Sequence, residues 1–370
     1  ALGGGRFDPD AIAAVTGLRW EHVVRQILEL HARRLVIRED DEHGSPVYRF
    51  AHRGLADLAA ESSSDDESTL LHRQAVSYLD RRGVARRHAA WASFARHAER
   101  GGLPGRALEA FGRAGDLAVE AHAHREALQL FSRAIEHAMR GRAPAAVLCG
   151  LYEKRGGAHE ISGDLAKAEE DYRWMLARAE KDGDEPLRTR AHLRLGRVLG
   201  RTGREPDARE NLEIAWSLAE RAGGHETVAE ACLELGRLAA RSGDFDDATG
   251  QLTAAREAAA RAGRPDLTAE ILLALGELAR DHGDFAAALT SFREAEEVAG
   301  DRARPAIAAA IQEGAALALE VQGDYPGALE ALDHARSRAR ARGDVHAVAR
   351  LTSWLAHVRV RLGDLSLIHI

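Results

Sequence analysis

Over most of the chain apolar residues recur at intervals of three and four, as at Leu195 and Leu199 or at Leu272, Leu275 and Leu278. That is the period of one helix face, not the alternation of a half-buried strand. The helical runs are punctuated at fixed intervals: Gly163, Gly203, Gly243, Gly283, Gly323 and Gly363 stand forty residues apart. Five of the six are followed by Asp, with Arg204 the substitute. A second series, Gly183, Gly223, Gly263 and Gly343, lies half a period away, with Ala303 in the vacant place. Glycine just past a helix end takes the left-handed conformation that satisfies terminal carbonyls, and an Asp after it caps the next helix. The pattern therefore predicts a repeating unit of helix, Gly-Asp turn, helix and second turn. Residues 1–60 lack the period. There, helical spacing covers Asp10–Thr16 and Trp20–Arg34, and two strands are predicted at Leu35–Arg38 and Val47–Phe50, joined by a polar turn at Asp40–Ser45.

Composition fits helices. Of the 370 residues only 5% are aromatic and nine are proline, which excludes a mostly β protein. The 35 glycines would be costly inside helices, and as turn marks they are not. By length alone two or three globular domains of roughly 150 residues are expected, but that prior gives way to a repeat array. No window has the roughly 20 apolar residues of a membrane span. Cys149 and Cys232 are too few for a disulfide framework, no secretory leader is seen, and a cytoplasmic location is expected. With 51 basic and 58 acidic residues, the net charge of −7 argues against a nucleic-acid coat.

Small residues sharpen the repeat. Gly196, Ala208 and Ala215 recur as Gly236, Ala248 and Ala255, as Gly276, Ala288 and Ala295, and as Ala316, Ala328 and Ala335. An earlier copy, Gly156, Ala168 and Met175, ends on a larger residue, and upstream only the step of seven survives, at Ala107/Ala114 and Ala127/Ala134. This spacing resembles the tetratricopeptide (TPR) repeat family, with a period longer than the usual ~34 residues. The resemblance implies an all-α fold, a TPR-like right-handed superhelical solenoid of ~40-residue helix-turn-helix repeats, preceded by a small winged-helix-like unit. It also implies a concave groove lined by the first helices. Mapped onto this sequence the groove residues are Arg190, Leu193, Arg197 and Arg201, then Glu230, Leu233, Arg237 and Arg241. They continue as Glu270, Leu273, Glu277, Arg280 and Asp281, then Glu313, Leu317 and Glu320, so the groove runs from basic to acidic. A charged protein or peptide partner would be steered onto such a surface, and a solvated helix face is the alternative reading of the same charges.

The order Phe7-Asp8, Val15–Leu18, a long helix, Leu35–Ile37 and Tyr48–His52 resembles the winged helix that follows the nucleotide-binding domain in bacterial signal-transduction ATPases of the STAND class. Thr69-Leu-Leu-His72 and Phe94-Ala-Arg-His97 continue that resemblance, with Ser62–Ser68 as the loop and cap between. Such modules occur in LuxR-type large ATP-binding regulators, ATPase/TPR-containing cyclases and Ser/Thr kinases. The resemblance implies that His52 senses nucleotide held by an upstream ATPase domain. Local capping or packing is the other reading of His52. The organisation expected is a hinge at 1–60, irregular repeats at 61–144, regular repeats at 145–364 and a non-native tail at 365–370. Both ends look cut, and the chain is read as a fragment of a longer bacterial protein.

Catalytic chemistry is not signalled. No P-loop or G-x-G-x-x-G after a strand is present, and Gly3–Gly5 lacks the lysine that phosphate binding needs. The pair His122/His124 lacks further ligands for zinc, and Cys232 falls on a core position. No cofactor and no metal are expected. DNA binding by Arg25, Arg33 and Arg34 is disfavoured by Glu21, Glu29 and an acidic wing at Glu39–Glu42. The reading is a non-catalytic interaction and sensor scaffold, binding a protein or a small inducer and biasing an upstream nucleotide switch. The alternatives are the effector-sensing part of a transcription regulator with DNA-binding output, or the regulatory segment of a nucleotide cyclase or kinase.

Overall fold

In the computed structural model, which describes residues 6–40, 46–52, 54, 55, 58, 64–84, 87–300, 305–341 and 343–363, Asp8 opens the first helix. Its carboxylate accepts from Ala11 N at 2.5 Å, and Gly17, at φ 71°, closes that helix. The elements are β1 (Arg6–Phe7), α1 (Pro9–Thr16), α2 (Trp20–Ala32), β2 (Val36–Asp40) and β3 (Pro46–Phe50). The strands form an antiparallel sheet in the order β1-β3-β2, with Phe7 opposite Tyr48 and Val36 opposite Phe50. Phe7, Val23, Ile27, Val36 and Tyr48 make a small core between sheet and helices. The pairing of β1 is additional to the hairpin expected from sequence, because two residues are too few to display an alternation. Gly3–Gly5, Asp41 and Glu42 of the acidic turn, Ser62 and Ser63, Ala303 and residues 364–370 lie outside the described residues.

Two compact units divide the chain, Ala1–Arg178 and Ala179–Ile370. In the first, α3 (Asp65–Arg82), α4 (His88–Arg100), α5 (Pro104–Glu120), α6 (His124–Arg140) and α7 (Ala145–Ile161) follow the sheet, and α8 (Leu165–Asp182) runs to the division. Ser64 caps α3 by accepting from Glu67 N at 3.2 Å, so the acidic run expected as loop is half helix. From α3 to α7 each helix packs on the next, α1 packs on α2, and α1 also packs on α3. The second unit holds α9 (Glu185–Arg201), α10 (Glu205–Ala222), α11 (His225–Arg241), α12 (Phe245–Ala262), α13 (Pro265–Asp281), α14 (Phe285–Ala299), α15 (Pro305–Gln322), α16 (Tyr325–Ala341) and α17 (Val345–Arg361). Each helix packs on the next, and the first helices α9, α11, α13 and α15 also touch in succession. That two-row arrangement is a TPR-like solenoid, and the fold is all-α apart from the small sheet.

Each glycine of the two forty-residue series holds φ between 64° and 88°, the left-handed region that an L side chain avoids. The Asp after the glycine then caps as expected. Asp244 accepts from Asp247 N at 3.1 Å, Asp284 from Ala287 N at 2.9 Å, and Asp324 from Gly327 N at 3.0 Å. At α10 the substitute Arg204 leaves the helix without a side-chain cap. Where the second series lacks its glycine, α14 ends early at Gly300, φ 52°.

The first-helix glycines serve a different purpose. A Cβ at Gly196 would lie 2.6 Å from Leu212 Cγ, one at Gly236 2.7 Å from Leu252 Cγ, and one at Gly276 2.5 Å from Phe292 Cε1. Gly156 meets Tyr172 and Gly115 meets Phe131 in the same way. Each glycine is thus a notch for a large side chain sixteen residues later on the second helix. The alanines Ala208, Ala215, Ala248, Ala255, Ala288 and Ala295 are all 0% exposed.

Candidate partner-binding cleft

Helices α9, α11 and α13 present the same face, and a cleft of about 250 Å³ opens across them. Its apolar side is Leu193, Leu233 and Leu267, all nearly buried. Arg194, Arg197, Glu230, Glu234, Glu270, Arg264 and Asp266 surround these leucines with both charge signs. The i, i+3 and i+4 spacing along each first helix puts Arg194 with Arg197, and Glu230 with Glu234 and Arg237, on one stripe.

The charges are cross-linked between repeats. Arg237 donates to Glu234 Oε1 on its own helix and to Glu270 Oε1 on α13, each at 3.1 Å. Burial works against its charge, but Glu234 and Glu270 outweigh burial and hold the guanidinium above its ordinary pKa. Arg264 binds Glu226 and holds both oxygens of Asp266, at 2.9 and 2.7 Å, which brings Asp266 down to about 2. Glu230 is the contrasting group: burial pushes its pKa up, against the pull of Arg194 and Arg197. Burial raises Glu277 likewise. A half-buried carboxylate with raised pKa gains from any cation brought close to it.

Of the residues expected to line the groove, Leu193, Arg197, Glu230, Leu233 and Glu270 meet in the cleft, with Arg237 tied to Glu270. Arg190 and Arg201 are exposed on α9, and Arg241 donates from Nη2 to Gly200 O at 3.3 Å. Leu273 belongs instead to the core around Phe292 and Ile311. Asp281 pairs with Arg280 at the end of α13. Farther along, Glu313 holds Arg350 at 2.7 Å, and Glu320 accepts from Trp354 Nε1 at 2.8 Å beside the exposed Leu317. The acidic end of the mapped stripe is therefore occupied by cross-repeat partners. Arg194, Glu234, Arg264, Asp266 and Leu267 escaped the sequence mapping. The sign change from Arg194 to Glu234 at one repeat position was the available signal. Arg264 stands at the N-cap of α13 and Asp266 lies in its first turn, ahead of the mapped first-helix positions.

His52 is exposed just past β3, with its carbonyl accepting from Leu55 N. Just past α2, Arg33 pairs with Glu29 of that helix at 2.6 Å. Cys149 and Cys232 are buried, and burial pushes the Cys232 thiol up to about 11, leaving it a core side chain and not a nucleophile. Among the described residues no group of three or more potential metal ligands gathers, and no helix is long and apolar enough to cross a membrane.

Two tetratricopeptide repeat models match the chain, one over residues 227–301 and the other over residues 154–215 and 273–345. These segments are TPR repeats. The cleft therefore lies on the first helices of TPR units, which are protein-interaction modules and not catalytic ones. No curated protein matches the chain by sequence. Solved structures with a similar fold include BtubC from P. vanneervenii, 24% identical over 60% of this chain and 92% of that one, with a TM-score of 0.52. The apo form of the quorum sensor NprR from B. thuringiensis is 12% identical over 96% of this chain and 92% of its own, TM-score 0.57. A signal transduction ATPase with numerous domains (STAND) protein with a TPR sensor, from Pyrococcus horikoshii, is 12% identical over 96% of this chain, TM-score 0.54. The chain spans about half of that protein, 51% of its length. At these identities the likeness concerns the fold alone.

Proposed function

We propose that the chain is the non-catalytic sensor and interaction segment of a bacterial signal-transduction regulator, with a protein, peptide or small inducer held in the cleft across α9, α11 and α13. The observation that carries this is the cleft itself: an apolar side of three leucines, surrounded by cross-linked charges, with the half-buried Glu230 held above its ordinary pKa by burial. A ligand with a basic group over Glu230 and an apolar group over Leu193 and Leu233 uses both features. The STAND protein's TPR sensor and the quorum sensor NprR support a sensing role for an array of this kind.

Within that reading the first sixty residues are a winged-helix-like hinge, supported by two helices against a small antiparallel sheet. The hinge biases an upstream nucleotide switch, and the exposed His52 is the group that meets nucleotide there. The setting is cytoplasmic. Repeats contact only their neighbours, so ligand held across three first helices alters the stacking of those repeats and the change passes along the array. The test is selection from a displayed random peptide library, scored by fluorescence polarisation of the enriched peptides. Wild type is expected to enrich basic, apolar-flanked peptides. Glu230→Arg is expected to lose them and Arg197→Glu to strengthen them. Enrichment that neither substitution changes overturns the cleft as the binding site.

A further inference from the structure

The first unit has a second concavity, of about 460 Å³, within the ~300–1,000 Å³ range of small-molecule sites. Its walls are mainly apolar, with Ile12 and Val15 of α1, Ile27 and Leu30 of α2, Phe50 of β3 and Leu71 of α3, and Thr16, His22, Gln26 and Ser68 add polar groups among them. No Asp, Glu, Lys or Arg lines it among the described residues. On one side stand His72 of α3 and His97 of α4, the two histidines of the motifs that frame this segment.

Their Nδ1 atoms are 2.7 Å apart, and this is the one hydrogen bond made by either ring among the described residues. A contact of that length between two ring nitrogens needs a single proton between them. The donor ring carries its proton on Nδ1 and so has a bare Nε2. The acceptor ring, when neutral, carries its proton on Nε2. The pair therefore keeps one N–H donor and one nitrogen acceptor for a third group. Burial, and then His72, push His97 down to about 4, and burial followed by Arg100 lowers His72. At neutral pH the pair is uncharged, and Arg96 and Arg100 set a positive local field.

We propose that this cavity binds a small amphiphile with an apolar chain and a single carboxyl head, the head seated on the His72–His97 pair. A protonated carboxyl group supplies one acceptor and one donor on two separate oxygens, the complement of what the pair leaves over, so a ligand that arrives as carboxylate takes up one proton from solution on binding, and the apolar walls take the chain. The two arginines disfavour a cationic amine head.

The experiment is calorimetric titration of the full chain with decanoate, decanol and decylamine. Decanoate is expected to bind one to one, with about fourfold weaker binding for each methylene removed on the way to octanoate. Decanol is expected to bind at least tenfold more weakly, and decylamine not at all. His72→Phe should abolish the preference for decanoate while keeping decanol binding, which also shows that the cavity is intact. Arg197→Glu, in the other unit, should bind decanoate as wild type does, so this site and the cleft fail or stand separately. Absence of decanoate binding, equal affinity for the three head groups, or a preference that survives His72→Phe overturns the proposal. So does a stable dimer by light scattering in which decanoate no longer binds.

Discussion

Gly276→Ala and Gly250→Ala are the same chemical change in neighbouring repeats, and the structure gives them opposite signs. Both glycines lie within helices, where Gly→Ala alone is worth about 1 kcal/mol of stability. Gly250 is exposed on α12, and a Cβ there would meet nothing within 4 Å. It should therefore gain nearly the full amount. At Gly276 the added Cβ would approach three ring atoms of Phe292, at 2.5, 2.7 and 2.9 Å. The ring has no room to retreat, because it is 1% exposed and Gly314 on α15 meets it too, an added Cβ there lying 2.6 Å from Cζ. Overpacking of this kind costs about 1–3 kcal/mol, and a pinned ring belongs at the upper end. The net expectation is a loss of about 1–2 kcal/mol for Gly276→Ala, separated from Gly250→Ala by about 2–3 kcal/mol. Urea unfolding read by circular dichroism gives the order, and hydrogen exchange of the α13 and α14 amides assigns the loss to that repeat. Adding Phe292→Leu should restore much of the loss, since Ala316 and Leu332 already share a core with that combination in the next repeat. If Gly276→Ala unfolds at or above the midpoint of Gly250→Ala, the notch argument is wrong.

Three further outcomes are expected. Asp284→Ala should cost about 1 kcal/mol in a thermal melt by removing the α14 cap, while Arg204→Ala, with no side-chain cap to lose, should cost less. Asp171→Ala should cost about 3–5 kcal/mol, because it leaves the Arg155 guanidinium, bound through Nε and Nη2 at 3.0 and 2.6 Å, without its buried counter-ion. Glu230→Gln should behave oppositely with pH. Burial raises the folded pKa of Glu230, so the stability its protonated form gives is present below the ordinary carboxyl pKa and is lost as pH rises through the raised value. The variant should match wild type near pH 4 and exceed it at pH 7 in urea melts, whereas Glu270→Gln, which removes an acceptor from Arg237, should be the less stable chain at pH 7.

Much of the fold was legible because the residues that enforce it are chemically narrow. Only glycine is comfortable at φ near +80°, and Asp is among the few good caps, so Gly163-Asp164 and its copies stand out at fixed spacing. The partner of each first-helix glycine was not legible, because the notch accepts Leu212, Leu252, Phe292, Tyr172 or Phe131 and so leaves no fixed letter. The cleft was half legible. Position on the first helix located Leu193, Arg197, Glu230, Leu233 and Glu270, but charge balance depends on neighbours such as Arg264 with Glu226, which lie 38 residues apart in different repeats. Leu273 faces the core because Phe292 and Ile311 come to meet it, and its own helical position does not reveal that.

The cross-repeat links give the array a property that no single repeat has. Arg209 with Asp247, Arg264 with Glu226 and Arg350 with Glu313 join residues 37 or 38 apart, and the glycine marks keep the same forty-residue step. A genetic exchange that joins the codon for Gly203 to the codon after Gly243 deletes one whole repeat, and every remaining helix still meets a neighbour of the right shape. What alters is the written order of charges, as when Arg194 and Arg197 come to face Glu270 directly. Shape and specificity are thus separately heritable in this chain: the glycine ruler lets copies be gained and lost, and the letters between its marks decide what each new length will hold.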